Sequence, residues 1–302
     1  MTSTVLISLF DDAGIGAKLA QQSKFDAGQI EMRHFPDGET YVRHLSDLQG
    51  RKVVIFCPLD RPDNKLLPLI FAAQAARELG AAKIGLVTPY LAYMRQDRRF
   101  NPGEAVTSEC FADLVSTYFD WLVTIDPHLH RHGSLSDIYA IPSQVVHAAP
   151  LLSSWIADKV ERPLIVGPDS ESEQWVAAVA QDIGCPHIVL EKVRYGDREV
   201  EIALPNTEIY LDRTPVLLDD IISTARTMIE ACRQLERRGM SAPICVGVHG
   251  IFADKAYADL SAAGAVRIVT TNTVYHKSNA IDVTELLAPA VKNFCEAFLK
   301  KN

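Results

Sequence analysis

Short apolar, β-branched runs alternate with stretches of helical period along most of this chain, and that rhythm limits the folds open to it. Val5–Phe10, Val53–Cys57, Ile84–Val87, Trp121–Ile125, Leu164–Val166, Ile188–Leu190, Val216–Leu218, Ile244–Val248 and Ile268–Thr271 are each bounded by Gly, Pro, Asp or other polar residues. Runs of this kind, separated by helical pattern, predict α/β units around parallel strands. The stretch after Asn64 sets Leu66, Ile70, Ala73 and Ala76 on one helical face. The stretch after Thr224 does the same with Ala225, Met228 or Ile229, Cys232 and Leu235, and stops at Arg237-Arg238-Gly239.

The chain has 302 residues, which at roughly 100–200 residues per domain predicts two domains. The helical stretch between Pro142 and Pro163 lies near the middle, so the boundary is expected near His147, giving domains 1–147 and 148–302. The terminal stretch Val283–Lys300 reads as a helix and is a candidate to pack back on the first half. The two halves share the strand–helix rhythm without a sequence repeat strong enough to claim duplication.

Composition removes several classes. With 48% apolar and 23% charged residues the chain is neither generally disordered nor a fibrous or low-complexity scaffold. Thirty Lys+Arg against 38 Asp+Glu give a net charge of −8. No global positive field is present to hold a nucleic-acid backbone or an anionic membrane. Six cysteines occur without a C-x-x-C pair, which suggests neither a zinc ribbon nor a disulfide framework, but buried or idle thiols. The amino terminus lacks a basic leader region, and no apolar run approaches the ~18 residues of a membrane span. A cytoplasmic protein with no nucleic-acid or membrane partner is expected.

The segment Val216-Leu217-Leu218-Asp219-Asp220-Ile221-Ile222-Ser223-Thr224-Ala225-Arg226-Thr227 carries the most chemical information. An apolar strand runs into two acids, then a hydroxyl-rich turn, then a helix. Backbone N–H groups of Ser223–Thr227 at a helix start, with the hydroxyls of Ser223, Thr224 and Thr227, can cradle a phosphate. Carboxylates at a strand's carboxyl end can accept ribose hydroxyls or hold Mg²⁺. An isolated Asp-Asp pair would read as an ordinary N-capped helix start; the full twelve-residue order favours function.

This segment resembles the phosphoribosyl-diphosphate (PRPP) motif shared by type I phosphoribosyltransferases and ribose-phosphate pyrophosphokinases. Three further segments resemble the pyrophosphokinases alone: Phe35-Pro36-Asp37-Gly38-Glu39, Thr88 to Arg98, and Asp126-Pro127-His128. The resemblance spans nearly the whole chain. It implies an α/β fold of two phosphoribosyltransferase-like domains, each a mainly parallel sheet flanked by helices. It also implies transfer of the β,γ-diphosphoryl group of Mg-ATP to the 1-hydroxyl of ribose 5-phosphate. The alternatives are a regulatory paralogue that co-assembles with a true synthetase and a PRPP-consuming transferase.

Residue by residue, the resemblance assigns ATP to Arg95, Gln96 and His128, with Phe35, Asp37 and Glu39 reaching the adenine of a neighbouring subunit. A homo-oligomer with a shared active site follows. Taken alone, Arg95–Arg99 would be a solvated run and Phe35–Glu39 a hairpin turn. His128 and Asp169 are implied Mg²⁺ ligands, while His130 and His132 are expected as loop or surface residues. Lys192 and Arg194 match the family's catalytic flap, with Arg194 also on the sugar phosphate. Asp219, Asp220 and Ser223, Thr224, Ala225, Arg226 and Thr227 are assigned to ribose 5-phosphate. Two departures stand out. Ser170-Glu171-Ser172 replaces the family's small-residue turn after Asp169, and in the phosphate loop Ser223 and Arg226 stand where Asp and Gly are usual.

Overall fold

The computed structural model describes residues 3–129, 131–169, 172–195, 199–203 and 208–297. The chain divides into two compact units, Met1–His147 with Val283–Asn302, and Ala148–Asp282. Unit 1 runs β1 (Thr4–Ser8), α1 (Ile15–Ser23), β2 (Asp26–Ala27), β3 (Ile30–His34), β4 (Thr40–His44), β5 (Lys52–Phe56) and α2 (Asp63–Glu78). It continues with β6 (Lys83–Thr88), α3 (Thr107–Tyr118), β7 (Trp121–Ile125) and β8 (Ser143–Val146). Its sheet has the order β2-β1-β5-β6-β7-β8, parallel throughout.

Unit 2 runs α4 (Ala149–Lys159), β9 (Pro163–Gly167), α5 (Glu173–Ile183), β10 (His187–Val189), β11 (Glu191–Tyr195), β12 (Glu199–Ala203), β13 (Thr214–Ile222) and α6 (Arg226–Arg237). Then come β14 (Ile244–Gly250), α7 (Ala256–Ala262), β15 (Arg267–Thr271) and β16 (Asn279–Ile281). Its sheet, β10-β9-β13-β14-β15-β16, is also parallel. Each unit inserts an antiparallel ribbon after its outer strand, β3–β4 in unit 1 and β11–β12 in unit 2. The two units therefore share one strand order, a likeness that self-comparison of the sequence does not reveal.

All nine apolar runs form strands of these sheets. Every residue of β5, β7 and β14 is buried, the consequence of a parallel sheet with helices on both faces. The strands that periodicity passes over are the short edges β2, β8 and β16 and the two ribbons; β2 is exposed and β8 only half-buried. On α2 the buried stripe is wider than expected. Leu69 and Ala72 join Ile70, Ala73 and Ala76, while Leu66 is only partly buried. The expected strand Val216–Leu218 is extended at both ends, to Thr214 and Ile222, and takes in Asp219 and Asp220.

The last helix, α8 (Thr284–Ala297), belongs to unit 1. Phe294 stacks on Trp121 of β7 with centroids 5.1 Å apart and planes 2° from parallel. The ammonium of the buried Lys52 donates to the Cys295 carbonyl, and Lys292 Nζ donates to the Gln22 carbonyl at 2.9 Å. Gly85, opposite Trp121 in the sheet, lets the indole lie across β6, since a Cβ there would fall 1.9 Å from the ring.

Overpacking a filled core costs typically about 1–3 kcal/mol, more where backbone must move. Gly85→Ala is therefore expected to lower unfolding free energy by about 3 kcal/mol in urea titration, and Gly85→Ala with Trp121→Leu to recover part of that loss. An unchanged midpoint in Gly85→Ala would show that the ring is free to move.

Candidate functional site

In a parallel sheet all strand ends of one kind meet at one edge, and ligands of open α/β proteins gather at the carboxyl edge. In unit 2 that edge collects Pro168-Asp169, directly after Gly167 of β9, and Asp219-Asp220 in the carboxyl-terminal half of the neighbouring β13. The Asp219 carboxyl is pushed well above the ordinary carboxylate value. Burial is the largest cause, followed by the negative charges of Asp220 and Asp169. Three acids from two separate motifs are thus within electrostatic reach of one another. Among the described residues, no three His, Cys, Asp or Glu side chains are gathered closely enough to ligate a metal by themselves.

Beyond β13 the chain turns at Ser223 and Thr224. Ala225 takes a left-handed conformation, φ +56°, and α6 starts at Arg226 without a side-chain cap. The helix therefore begins later than Ser223, and Ser223–Ala225 form a loop before it. Thr224 and Arg226 are exposed, Ser223 and Thr227 half-buried, and Ala225 buried. The first-turn N–H groups of an uncapped helix suit an anion.

Ser172 closes the turn after Asp169. Its hydroxyl donates to the Asp169 carbonyl at 2.6 Å and its N–H to the same oxygen at 3.2 Å. A Cβ on Gly167 would lie 2.5 Å from that hydroxyl, so the turn fits only against glycine. Ser170 and Glu171 lie outside the described residues. Lys192 and Arg194 stand on β11, in register with Ile202 and Val200 of β12.

In unit 1 the expected nucleotide residues leave neighbouring strands. Arg95 and Gln96 follow β6, and His128 follows β7. Arg95 is exposed. Gln96 is tied to the start of α3: its Oε1 accepts from the Thr107 hydroxyl at 3.2 Å, and its carbonyl accepts from the Ser108 hydroxyl at 3.2 Å. Asp97 turns inward and is buried, and Arg131 Nη1 donates to both its carboxylate oxygens at 2.8 and 2.9 Å. Sequence reading missed this link between the two loops, because no local spacing relates positions 97 and 131.

His128 is half-buried. Two residues before it, Asp126 is buried in a left-handed conformation, φ +33°, with its Oδ1 2.8 Å from His147 Nδ1. That hydrogen bond raises the His147 pKa above its ordinary value against the opposing effect of burial. His132 is a loop residue but half-buried, with Nε2 enclosed and without a partner, so it is not a plain surface residue. His130 lies outside the described residues.

Phe35, Asp37 and Glu39 sit at the tip of the β3–β4 ribbon. The turn is closed by Phe35 N–H to the Glu39 carbonyl at 2.8 Å and Gly38 N–H to the Phe35 carbonyl at 2.9 Å, with Gly38 at φ +93°. All three side chains are exposed. The Phe35 ring is 41% exposed, with the Arg33 guanidinium 4.7 Å from its centroid.

Of the cysteines, Cys57, Cys232, Cys245 and Cys295 are buried, and all six are free thiols. Burial pushes the Cys57 thiol up to about 12, which keeps it protonated. Among the described residues no helix is long and apolar enough to cross a membrane.

An acidic pair late in the third strand of a parallel sheet, followed by a hydroxyl-bearing loop into an uncapped helix, is the arrangement of a phosphoribosyltransferase-type domain. Residues 134–286 match the phosphoribosyl transferase domain family, and residues 4–118 match the N-terminal domain of ribose phosphate pyrophosphokinase. The chain is 34% identical to a ribose-phosphate pyrophosphokinase of Methanopyrus kandleri, covering 96% of this chain and 99% of that one. It is also 34% identical to one of Sulfolobus acidocaldarius, covering 86% and 90%. The chain belongs to the ribose-phosphate pyrophosphokinase family. Its fold is that of phosphoribosylpyrophosphate synthetase from Mycobacterium smegmatis, with a TM-score of 0.86, 22% identity, and coverage of 98% and 100%.

The raised Asp219 pKa has a stability consequence of definite sign. The unfolded chain gives up this proton near the ordinary value of 3.8, while the folded chain holds it to higher pH. The cost of ionising Asp219 therefore grows as pH rises from that value and is fully present above the folded pKa. Asp219→Asn is expected to raise the melting temperature at neutral pH by ~3 °C in metal-free buffer, and to leave it unchanged at a pH below the ordinary carboxylate value. An Asp219→Asn melting temperature at or below wild type at neutral pH would show that the neighbouring acids do not burden the fold.

Proposed function

We propose that the protein is a ribose-phosphate diphosphokinase, which transfers the β,γ-diphosphoryl group of ATP to the 1-hydroxyl of ribose 5-phosphate and releases AMP. Family membership supports the reaction class. The observation that carries the site is the acidic edge of unit 2, where Asp169, Asp219 and Asp220 converge beside the uncapped start of α6. Anions are repelled by such carboxylates and attracted by such a helix start. A sugar phosphate has both parts needed: hydroxyls to donate to Asp219 and Asp220, and a phosphate for the N–H groups and hydroxyls of Ser223, Thr224 and Thr227. Ala225 turns the loop and Arg226 adds a cation at its rim.

In unit 1, Arg95, Gln96 and His128 would hold the nucleotide, with Gln96 kept in place by Thr107 and Ser108. Arg95 supplies a guanidinium suited to phosphate oxygens. Phe35, Asp37 and Glu39, exposed at their ribbon tip, would serve the adenine site of a second copy in a homo-oligomer. The 1-hydroxyl oxygen attacks the β-phosphorus in line. The new C1–O–Pβ bond forms as the bond from Pβ to the bridging oxygen breaks, that oxygen leaves with AMP, and the hydroxyl proton passes to solvent. Lys192 and Arg194 on β11 would stabilise negative charge spread over the transferring group. Among the described residues no side chain stands out as a general base, and positioning and electrostatics would supply much of the acceleration.

Mg²⁺ fits the donor set. It binds through one or two carboxylates together with waters and substrate phosphates, and the elevated Asp219 pKa marks a place where added positive charge relieves repulsion. Asp169 would hold it in unit 2, and in unit 1 His128 would serve the metal of Mg-ATP. When bound, Mg²⁺ neutralises phosphate charge and orients the polyphosphate. The proposed setting is the cytoplasm, where ATP is available.

The test is AMP and PRPP formation from Mg-ATP and ribose 5-phosphate, with each substrate omitted in turn. Wild type is expected to form both products in equal amounts, and Lys192→Ala to lower the rate at least about a hundredfold. Absence of PRPP with ATP binding intact by calorimetry would overturn the assignment for this sugar.

A further inference from the structure

Phe252, in the loop after β14, is buried yet has φ +42°. Non-glycine residues avoid this left-handed region, and such strain persists only where the surroundings over-determine it. Here the surroundings are aromatic. The Phe252 ring lies 4.4 Å from the His276 ring and 5.3 Å from Tyr257, which meets it edge-on at 81°. Tyr257 and His276 are themselves 4.9 Å apart, and the Lys277 ammonium covers the Tyr257 ring at 4.1 Å. Gly250 leaves the room needed, because a Cβ there would come within 2.8 Å of the Phe252 ring.

The strained backbone has a definite target. Phe252 N–H donates to the Ile222 carbonyl at 2.9 Å, and Ala253 N–H donates to the Ser223 carbonyl at 3.1 Å. These bonds continue the β13–β14 contact past its last register pair, Ile222 with Gly250. In a planar trans peptide the carbonyl and the following N–H point in opposite directions. Holding the Ile222 and Ser223 carbonyls toward the β14 loop therefore turns the N–H groups of Ser223 and Thr224 away from it. Those are two of the donors assigned above to the sugar phosphate.

The geometry points to Phe252 as a positioning residue for the phosphate loop. The clamp of Phe252, Tyr257 and His276 holds a strained turn whose two hydrogen bonds aim the Ser223 and Thr224 N–H groups. This inference rests on the ribose 5-phosphate reading of that loop, and it concerns residues that the sugar-phosphate motif itself does not contain.

Steady-state kinetics with both substrates, paired with calorimetric binding of ribose 5-phosphate, test it. Misplacement by about 1 Å costs up to a hundredfold, so Phe252→Ala is expected to weaken ribose 5-phosphate about tenfold in both KM and Kd while KM for ATP changes by less than about twofold. Phe252→Gly relaxes the backbone strain but removes the ring, and is expected to follow Phe252→Ala. Tyr257→Phe keeps a ring and should stay within about twofold of wild type, whereas Tyr257→Ala should weaken the sugar phosphate about threefold, which keeps the test available if Phe252→Ala does not fold. The inference is overturned if Phe252→Gly binds ribose 5-phosphate as wild type does, or if the KM values for both substrates move together. A wild type that neither binds nor turns over ribose 5-phosphate sinks the underlying site assignment instead.

Discussion

Burial of parallel strands on both faces is the constraint from which the rest follows. A strand such as β14, with every residue enclosed, has no side from which to reach solvent. Its polar chemistry must therefore be placed where the strand ends. In unit 2 this brings Asp169, Asp219 and the loop after β13 to one edge, although they lie far apart in the chain. In unit 1 the same rule sends Arg95, Gln96 and His128 to the carboxyl edge from neighbouring strands.

The edge of unit 2 carries an electrostatic cost in the protein alone. Asp219 is held above its ordinary pKa by burial and by two like charges, which a fold selected only for stability would replace with amides. Added positive charge or hydroxyl donors at this edge would relieve what the neighbouring carboxylates oppose. The aromatic clamp behind the loop adds a second local cost, the left-handed Phe252, offset by packing against Tyr257 and His276.

The two units have the same strand order but have filled the corresponding turn differently. In unit 2 the loop after β13 passes through left-handed Ala225 into an uncapped helix. In unit 1 the turn after β5 passes through left-handed Arg61, and its own Lys65 reaches the Pro58 carbonyl at 2.9 Å and Asp60 Oδ1 at 2.6 Å. An internal ammonium here satisfies oxygens locally. The shared architecture thus carries one loop that runs uncapped into its helix and one closed on itself.

Hydrophobic rhythm determined the α/β class and nine strands of the two sheets, because burial on both sides of a sheet demands uninterrupted apolar residues. Motif order determined the family and singled out the acids, the hydroxyl-bearing loop after them and the segment with Lys192 and Arg194. Tertiary structure alone decided the edge strands β2, β8 and β16, the two ribbons and the internal likeness of the two units, since short half-exposed strands carry little apolar pattern. It alone joined Asp97 to Arg131, Asp126 to His147, and Phe252 to the backbone of Ile222 and Ser223. Those links depend on where separate strands end in space, and a one-dimensional spacing rule contains no such distance.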